Sequence, residues 1–416
     1  MDIIDDLKYR GLINQVSDEE GLREALKKPI TFYCGFDPTA NSLHAGNLLM
    51  IVIMMRLQKA GHHPIALVGG GTGMIGDPSG RSTERQLNTK EVVEGYAESL
   101  KNQLDRFLHF DQGNATFVNN AEWLNSLSAI EFLRDVGKYF TLNYMLSKDS
   151  VQTRLEAGIS FTEFSYMLLQ AYDYLNLYEL KNCRMQMGGS DQWGNITAGL
   201  ELIRKRGHEE QAFALTFPLI TKSDGTKFGK SMGGAIWLDS EKTTPYEWYQ
   251  FWYNASDDDV INFLKYFTFL SKSEIEALAN EVESHPEARK AQKTLAREMT
   301  VLVHGEAALK QAEHISQALF SGDISQLNGE EIRQGFKDVP TYQASSKDSV
   351  KLIDLIVEAG IVPSKRQARE DITNGAIYVN GSRRNDLDEV LTQNDRIDNE
   401  YMVIRRGKKK YTLIQF

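Results

Sequence analysis

Tyr33-Cys34-Gly35-Phe36-Asp37-Pro38-Thr39-Ala40-Asn41-Ser42-Leu43-His44-Ala45-Gly46-Asn47 joins two apolar segments, and its reading decides the fold. Before it, Pro29-Ile30-Thr31-Phe32-Tyr33 is a short run of β-branched and aromatic residues, the composition of a buried strand. After it, Leu48 to Ala60 carries long apolar side chains at helical length and stops at Gly61. The pattern predicts a strand, then a loop bearing Asp37, Thr39 and His44, then a helix entered at Gly46. A helix N-terminus offers unpaired N–H groups and partial positive charge, which suits a phosphate. Gly46 has no side chain to keep a flat ring or a phosphate off the backbone.

Outward from that stretch, strand-like runs alternate with helical patterns as far as about Thr221. The runs are Ile65–Gly69, Ala115–Val118, Arg184–Met187 and Phe213–Phe217, and the helix candidates are Thr89–Leu108, Ala129–Tyr139, Phe161–Leu175 and Asp191–Arg206. Such alternation predicts an α/β fold, a Rossmann-like doubly wound parallel sheet with helices on both faces. Ligands of these sheets sit at the carboxyl ends of the strands, where strand order reverses. From Thr244 to about Phe320 the strands give way to consecutive amphipathic helices, Pro245–Tyr253, Asp259–Phe267, Ser273–Glu283 and Ala288–Val303. Residues 321–349 lack periodicity and read as a linker, and 350–416 as a small α+β domain. The expected boundaries are 1–220 for the sheet domain, 221–247 for a lysine-bearing loop and linker, and 248–320 for the helices.

Composition narrows the classes. The 416 residues suffice for two or three domains and a large core. The most apolar helix is too short to span a bilayer, so no membrane partner is expected, and the acidic Met1-Asp2-Ile3-Ile4-Asp5-Asp6 start is unlike a signal peptide. With only Cys34 and Cys183, no disulfide framework or four-cysteine metal site can form. No histidine pair has ligand spacing, and His62-His63 reads as a turn. No protein-bound metal is expected, and a reducing cytoplasm is the default. From Lys351 onward there are 12 Lys and Arg against 10 Asp and Glu, so the net charge of −10 divides into +2 there and −12 before it. That asymmetry points to a C-terminal appendage with its own partner.

Five further segments carry chemistry. Gly69 to Pro78 contains Gly71-x-Gly73-x-x-Gly76 after a strand, but Pro78 and Ser79-Gly80 break any helix there, so a dinucleotide fingerprint is the poorer reading. A loop that admits a substrate to the backbone, with Asp77 facing an amine, is the alternative to a plain capped turn. Lys222-Ser223-Asp224-Gly225-Thr226-Lys227-Phe228-Gly229-Lys230-Ser231-Met232 is a polar loop able to close over a polyphosphate, or else an exposed hairpin with solvated lysines. Tyr166, Gln170 and Asp173 fall on one face of an otherwise apolar helix, where buried polar groups need partners. Lys365, Arg366 and Arg369 sit at a helix start, and Arg405 to Lys410 adds a second basic cluster, suited to phosphates or simply solvated.

Pro38 to Asn47 and Lys227 to Ser231 resemble the two signature sequences of class I aminoacyl-tRNA synthetases, in the right order and about 180 residues apart. Tyr33-x-Gly35-x-Asp37-Pro38-Thr39, Gly76-Asp77-Pro78-Ser79, Thr162 to Asp173 and Gln186 to Asn195 narrow the resemblance to the bacterial tyrosyl-tRNA synthetases, over nearly the whole chain. The departures are Ala45 for the usual Ile, Asn47 for the second His, and Phe228-Gly229 for Met-Ser. Pro363 to Gly381 is similar to a small RNA-binding fold shared with a ribosomal protein.

The resemblance implies a ligase that activates L-tyrosine with ATP and transfers it to tRNA(Tyr). It implies Thr39, His44, Lys227, Lys230 and Ser231 at the phosphates, with Mg²⁺ accompanying the ATP. Tyr33 and Asp173 would take the phenol, Asp77, Tyr166 and Gln170 the ammonium group, with Gln186 and Gln192 completing the tyrosine site. Gly35, Asp37, Gly46, Asn47, Gly189, Asp191 and Lys230 would hold ATP, and Lys365, Arg366 and Arg369 the RNA. A homodimer is implied too, with the apolar helices around Ala129–Tyr139 as interface material. The rival readings are a tryptophan-specific relative, a non-catalytic RNA-binding derivative, and a nucleotidyltransferase with an RNA tail.

Overall fold

Six strands build the central sheet, and its four middle members, rich in apolar and β-branched residues, are largely buried. The six are β1 (Gln15–Val16), β2 (Thr31–Phe36), β3 (His63–Val68), β4 (Thr116–Asn119), β5 (Cys183–Gly189) and β6 (Phe213–Phe217). The computed structural model describes every residue except 1, 227, 232, 233, 346–348 and 409, with Lys230 and Ser231 described by backbone alone. The order is β1-β6-β5-β2-β3-β4, with β1 antiparallel to β6 and the other neighbours parallel. The chain is a Rossmann-like α/β fold. Its order reverses between β2 and β5, so the loops leaving their carboxyl ends diverge and open a crevice. The short edge strand β1 carries too little sequence to be foreseen, and His63 opens β3 rather than sitting in a turn.

Helices α1 (Ile3–Tyr9) and α2 (Glu19–Ala25) flank β1, and α3 (Ala45–Lys59) and α4 (Lys90–Leu108) follow β2 and β3. Four short helices come after β4: α5 (Ala121–Leu124), α6 (Ala129–Asp135), α7 (Leu142–Leu146) and α8 (Asp149–Gln152). Then come α9 (Phe161–Lys181) and α10 (Trp193–Lys205). The α3 helix begins one residue before Gly46, because His44 is its N-cap. The His44 ring accepts from Gly46 N–H while the Asn47 side chain accepts from His44 N–H, a reciprocal box that satisfies two terminal donors.

Two compact units are present, Met1–Asp239 with Ser256–Ala291, and Ser240–Ala255 with Gln292–Phe416. The helices expected as one domain over 248–320 divide between them. Pro245–Tyr253 (α11) belongs to the second unit, and Asp257–Phe267 (α12) and Lys272–Ser284 (α13) to the first. Next comes α14 (Lys290–Ser321), interrupted at Gly305, whose φ of 86° and ψ of 172° are not helical. The aperiodic 321–349 region holds α15 (Gly329–Gly335) and β9 (Thr341–Gln343), short elements anchored by long-range contacts that local periodicity does not reveal. The tail holds β10 (Ser349–Lys351), α16 (Leu352–Glu358), α17 (Lys365–Thr373), β11 (Ile377–Val379), β12 (Ser382–Arg384), β13 (Val390–Thr392), β14 (Tyr401–Arg406) and β15 (Lys410–Gln415). A five-stranded sheet, β12-β11-β14-β15-β9, packs Ile377, Val379, Ile404 and Ile414 against α16 and α17. Among the described residues no helix is long and apolar enough to cross a membrane.

Candidate active site

The crevice at the strand ends is a cavity of 760 Å³. The loop after β2 brings Asp37, Thr39 and His44 to it, the loop after β3 brings Asp77, and the turn after β5 brings Asp191 and Gln192. Tyr33, Gly35, Gly46, Asn47, Gln186 and Gly189 line it too, and α9 contributes Tyr166, Gln170 and Asp173. Residues that the sequence scatters over about 160 positions therefore share one enclosure.

Its best-buried carboxylate is Asp173, 2% exposed. Trp123 Nε1 donates to Oδ1 at 2.7 Å and Asn120 Nδ2 to Oδ2 at 2.9 Å. Burial pushes the Asp173 carboxyl up to about 7, against the pull of those two donors. Beside it the Tyr33 hydroxyl is buried with no hydrogen-bond partner among the described residues. Burial, and then the Asp173 charge, keep that phenol protonated and hence a donor. An unpartnered buried donor next to a buried acceptor costs free energy unless a ligand completes the pair. The Gln186 Oε1 is a second buried atom without a partner, on the neighbouring strand.

Asp77 anchors a second group. Gln192 Nε2 donates to its Oδ2 at 2.8 Å, and Ser79 N–H to its Oδ1 at 2.9 Å. Asn195 Nδ2 donates to Gln170 Oε1 at 3.1 Å, and Gln170 Nε2 to Gln192 Oε1 at 3.3 Å, so the amides are oriented by one another. Tyr166 donates to Asp37 Oδ2 at 2.7 Å and Thr72 to Asp37 Oδ1 at 2.8 Å. Burial and the nearby Asp77 charge raise the Asp37 carboxyl to about 6. Burial, with Asp77 second, also raises Asp191. These clustered carboxylates suit an ammonium group.

The α3 N-terminus forms a third group. Because His44 Nδ1 accepts from Gly46 N–H at 3.0 Å, a neutral ring carries its proton on Nε2, a donor for a phosphate oxygen. A Cβ on Gly46 would lie 2.8 Å from the His44 ring, so a larger residue would push that ring from its capping position. Lys227 lies outside the described residues, as do the side chains of Lys230 and Ser231; their backbone forms β7 (Lys230–Ser231), paired with β8 (Gly234–Ala235). In the second unit Lys365, Arg366 and Arg369 stand exposed on α17, with Lys365 paired to Asp354 at 2.7 Å. Among the described residues no group of three or more His, Cys, Asp and Glu side chains could hold a metal ion. Cys34 and Cys183 are buried and free.

The model of class I tRNA synthetases (W and Y) matches residues 25–321. The tyrosine–tRNA ligase SYY-like C-terminal domain matches 331–414. The tyrosine–tRNA ligase 1 of Bacillus cereus is 63% identical over 100% of both chains. The chain belongs to the tyrosine–tRNA ligase family of class I synthetases. The Geobacillus stearothermophilus tyrosine–tRNA ligase is 62% identical, again over 100% of both chains. A C-terminally truncated mitochondrial tyrosyl-tRNA synthetase of Aspergillus nidulans superposes with a TM-score of 0.67, at 32% identity, over 76% of this chain and 94% of that one.

In this synthetase the cavity also holds residues that sequence reading passed over. Arg81 and Arg85 line it from the run after Pro78, the only lining guanidinium groups among the described residues. Cations four apart in a glycine-punctuated loop were the available signal. Asn120 and Trp123 hold Asp173 from the end of β4, and the rule that strand ends carry ligand groups points to them.

Proposed function

We propose that this synthetase joins L-tyrosine to tRNA(Tyr) in two steps. The tyrosine carboxylate attacks the α-phosphorus of MgATP, the bond to the β-phosphate oxygen breaks, and tyrosyl-adenylate and pyrophosphate form. A hydroxyl at the 3′ end of the tRNA then attacks the tyrosyl carbonyl and AMP leaves. The observation that carries the reading is the unpartnered Tyr33 hydroxyl beside the buried Asp173 carboxylate. That pair offers one donor and one acceptor to a phenol, whereas the indole of tryptophan has a donor and no acceptor.

On this reading Asp77 and Gln170 take the ammonium group, with Tyr166 held against Asp37, and Gln186 and Gln192 complete the tyrosine site. Gly46 lies under the adenine, while Gly35, Asp37, Asn47, Gly189 and Asp191 line the nucleotide. Thr39 and His44 meet the phosphates from one side, and Lys227, Lys230 and Ser231 from the loop. The carboxylate nucleophile is already ionised at neutral pH, so the first step needs no base. Catalysis rests on placement and on charge aimed at the transferring phosphate. The 350–416 domain, through Lys365, Arg366 and Arg369, binds the tRNA backbone.

A homodimer accords with the apolar side chains left in water at Ile130 (73% exposed), Leu142 (66%) and Phe161 (76%). A cytoplasmic location accords with the bacterial tyrosine–tRNA ligases that the chain resembles over its full length. ATP–pyrophosphate exchange with each of the twenty amino acids tests the function. Tyrosine alone should drive exchange. Exchange driven by tryptophan, or by no amino acid, refutes it.

A further inference from the structure

The lysine-bearing loop is polar and exposed from Ser223 to Thr226, yet it buries one large apolar side chain. Phe228, 8% exposed, places its ring 5.2 Å from Phe267 at an interplanar angle of 25° and 5.1 Å edge-on from Phe263. Both partners are on α12 and fall one helical turn apart. The same helix holds the start of the loop. Ser223 donates from its N–H at 2.9 Å and from its hydroxyl at 3.1 Å to Asp259, which also accepts from Ser256 at 2.8 Å.

The other end of α12 is fixed to the frame of the site. Arg10, 4% exposed, donates to the carbonyls of Lys265, Thr268 and Leu270, and Arg56 of α3 donates to Thr268 O. Immediately after Phe228, Gly229 takes a φ of +83°, and a Cβ there would lie 3.0 Å from Gly46 N. Ile236 N–H donates to Gly229 O at 3.0 Å and Ala45 N–H to Ile236 O at 2.8 Å, so the loop's return strand is stitched to the α3 N-terminus. Helix α12 thus connects both signature segments, α3 through Arg56 and the lysine loop through Phe228 and Asp259.

We infer that Phe228 is a positioning residue for adenylate formation: its ring, packed on Phe263 and Phe267, holds the backbone of the lysine-bearing loop, from Gly229 into β7, against the α3 N-terminus. This rests on the function proposed above and adds that the seat limits the rate. Tyrosine-dependent exchange by the wild-type protein establishes that reading first; the variants then speak to the seat alone. Misplacing a charge-stabilising group by about 1 Å costs on the order of a hundredfold in rate.

The test compares Phe228→Ala, Phe228→Leu, Lys230→Ala and the double variant Phe228→Ala/Lys230→Ala in the full-length chain. Phe228→Ala should lower the kcat of exchange about ten- to a hundredfold, with KM for tyrosine changed less than about twofold. The double variant should be no slower than Lys230→Ala alone by more than about threefold, since a ring that acts through the lysine has nothing left to place. Phe228→Leu keeps an apolar plug without the stacking and should lose about three- to tenfold. Multiplying losses in the double variant, or an unchanged kcat in Phe228→Ala, would overturn the inference. Should Phe228→Ala not fold, Phe228→Leu alone and with Lys230→Ala decides by the same comparison.

Discussion

Asp173 and Tyr33 show how little of a side chain's role lies in its own identity. A carboxyl held near 7 is ionised above neutrality and protonated below it, and the ionised form accepts from a phenol more strongly than the neutral acid does. KM for tyrosine in exchange should therefore rise as pH falls from about 8 to 6, while any residual phenylalanine activity should not follow it. Asn120→Ala removes a donor that pulls the Asp173 carboxyl down, so the inflection should move to higher pH. An inflection that stays put would separate Asp173 from the phenol. Tyr33→Phe deletes the unpartnered donor, and a buried acceptor left unmatched costs about 1–3 kcal/mol. The ratio of kcat/KM for tyrosine over phenylalanine should fall about ten- to a hundredfold. Asp173 was legible in the sequence as a polar residue on an apolar helical face. Asn120 and Trp123 carry only the weaker signal of standing after a strand end, because their partner lies 50 or more positions away and neither repeats with any period.

At the scale of elements, the termini were written locally and the buried charges were not. Asn47 stands where the signature usually has histidine, and here its side chain closes the capping box of α3. Asn47→Ala should cost about 1 kcal/mol in urea unfolding. A larger effect on KM for ATP than on stability would add nucleotide contact to the cap. Glu163 forms an ion pair with Arg154 at 2.8 Å, with side chains 0% and 3% exposed. Arg154→Met leaves that carboxylate buried and unpaired, which should destabilise the first unit by about 3–5 kcal/mol in chemical denaturation. Neither partner's sequence context announces the pair, since Arg154 follows a short helix and Glu163 reads as an ordinary first-turn acid. The doubly wound sheet was legible because β2, β3, β5 and β6 are buried runs. The helices after Thr244 were legible singly, but their division between two units depends on tertiary contacts.

For the molecule as a whole, the proposed function assigns RNA capture to the net-positive C-terminal residues and the chemistry to the net-negative remainder. Arg366→Ala and Arg369→Ala should each raise KM for tRNA and flatten its salt dependence by about one unit of log–log slope, leaving pyrophosphate exchange unchanged. Lys365→Ala should do less, because that lysine already spends its charge on Asp354. Phe161→Asp should convert the proposed homodimer to monomers in sedimentation, since Phe161 is a large apolar side chain left exposed. The central claim is that strand-end loops distant in the chain enclose one aryl amino acid and one nucleotide, with the phenol completing the Tyr33–Asp173 pair. A crystal structure with a non-hydrolysable tyrosyl-adenylate analogue tests it most directly. The account predicts the phenolic oxygen at hydrogen-bond distance, about 2.6–3.2 Å, from both the Tyr33 hydroxyl and the Asp173 carboxylate, with adenine on Gly46. A phenol turned toward solvent, or an adenine bound away from the α3 N-terminus, would contradict it.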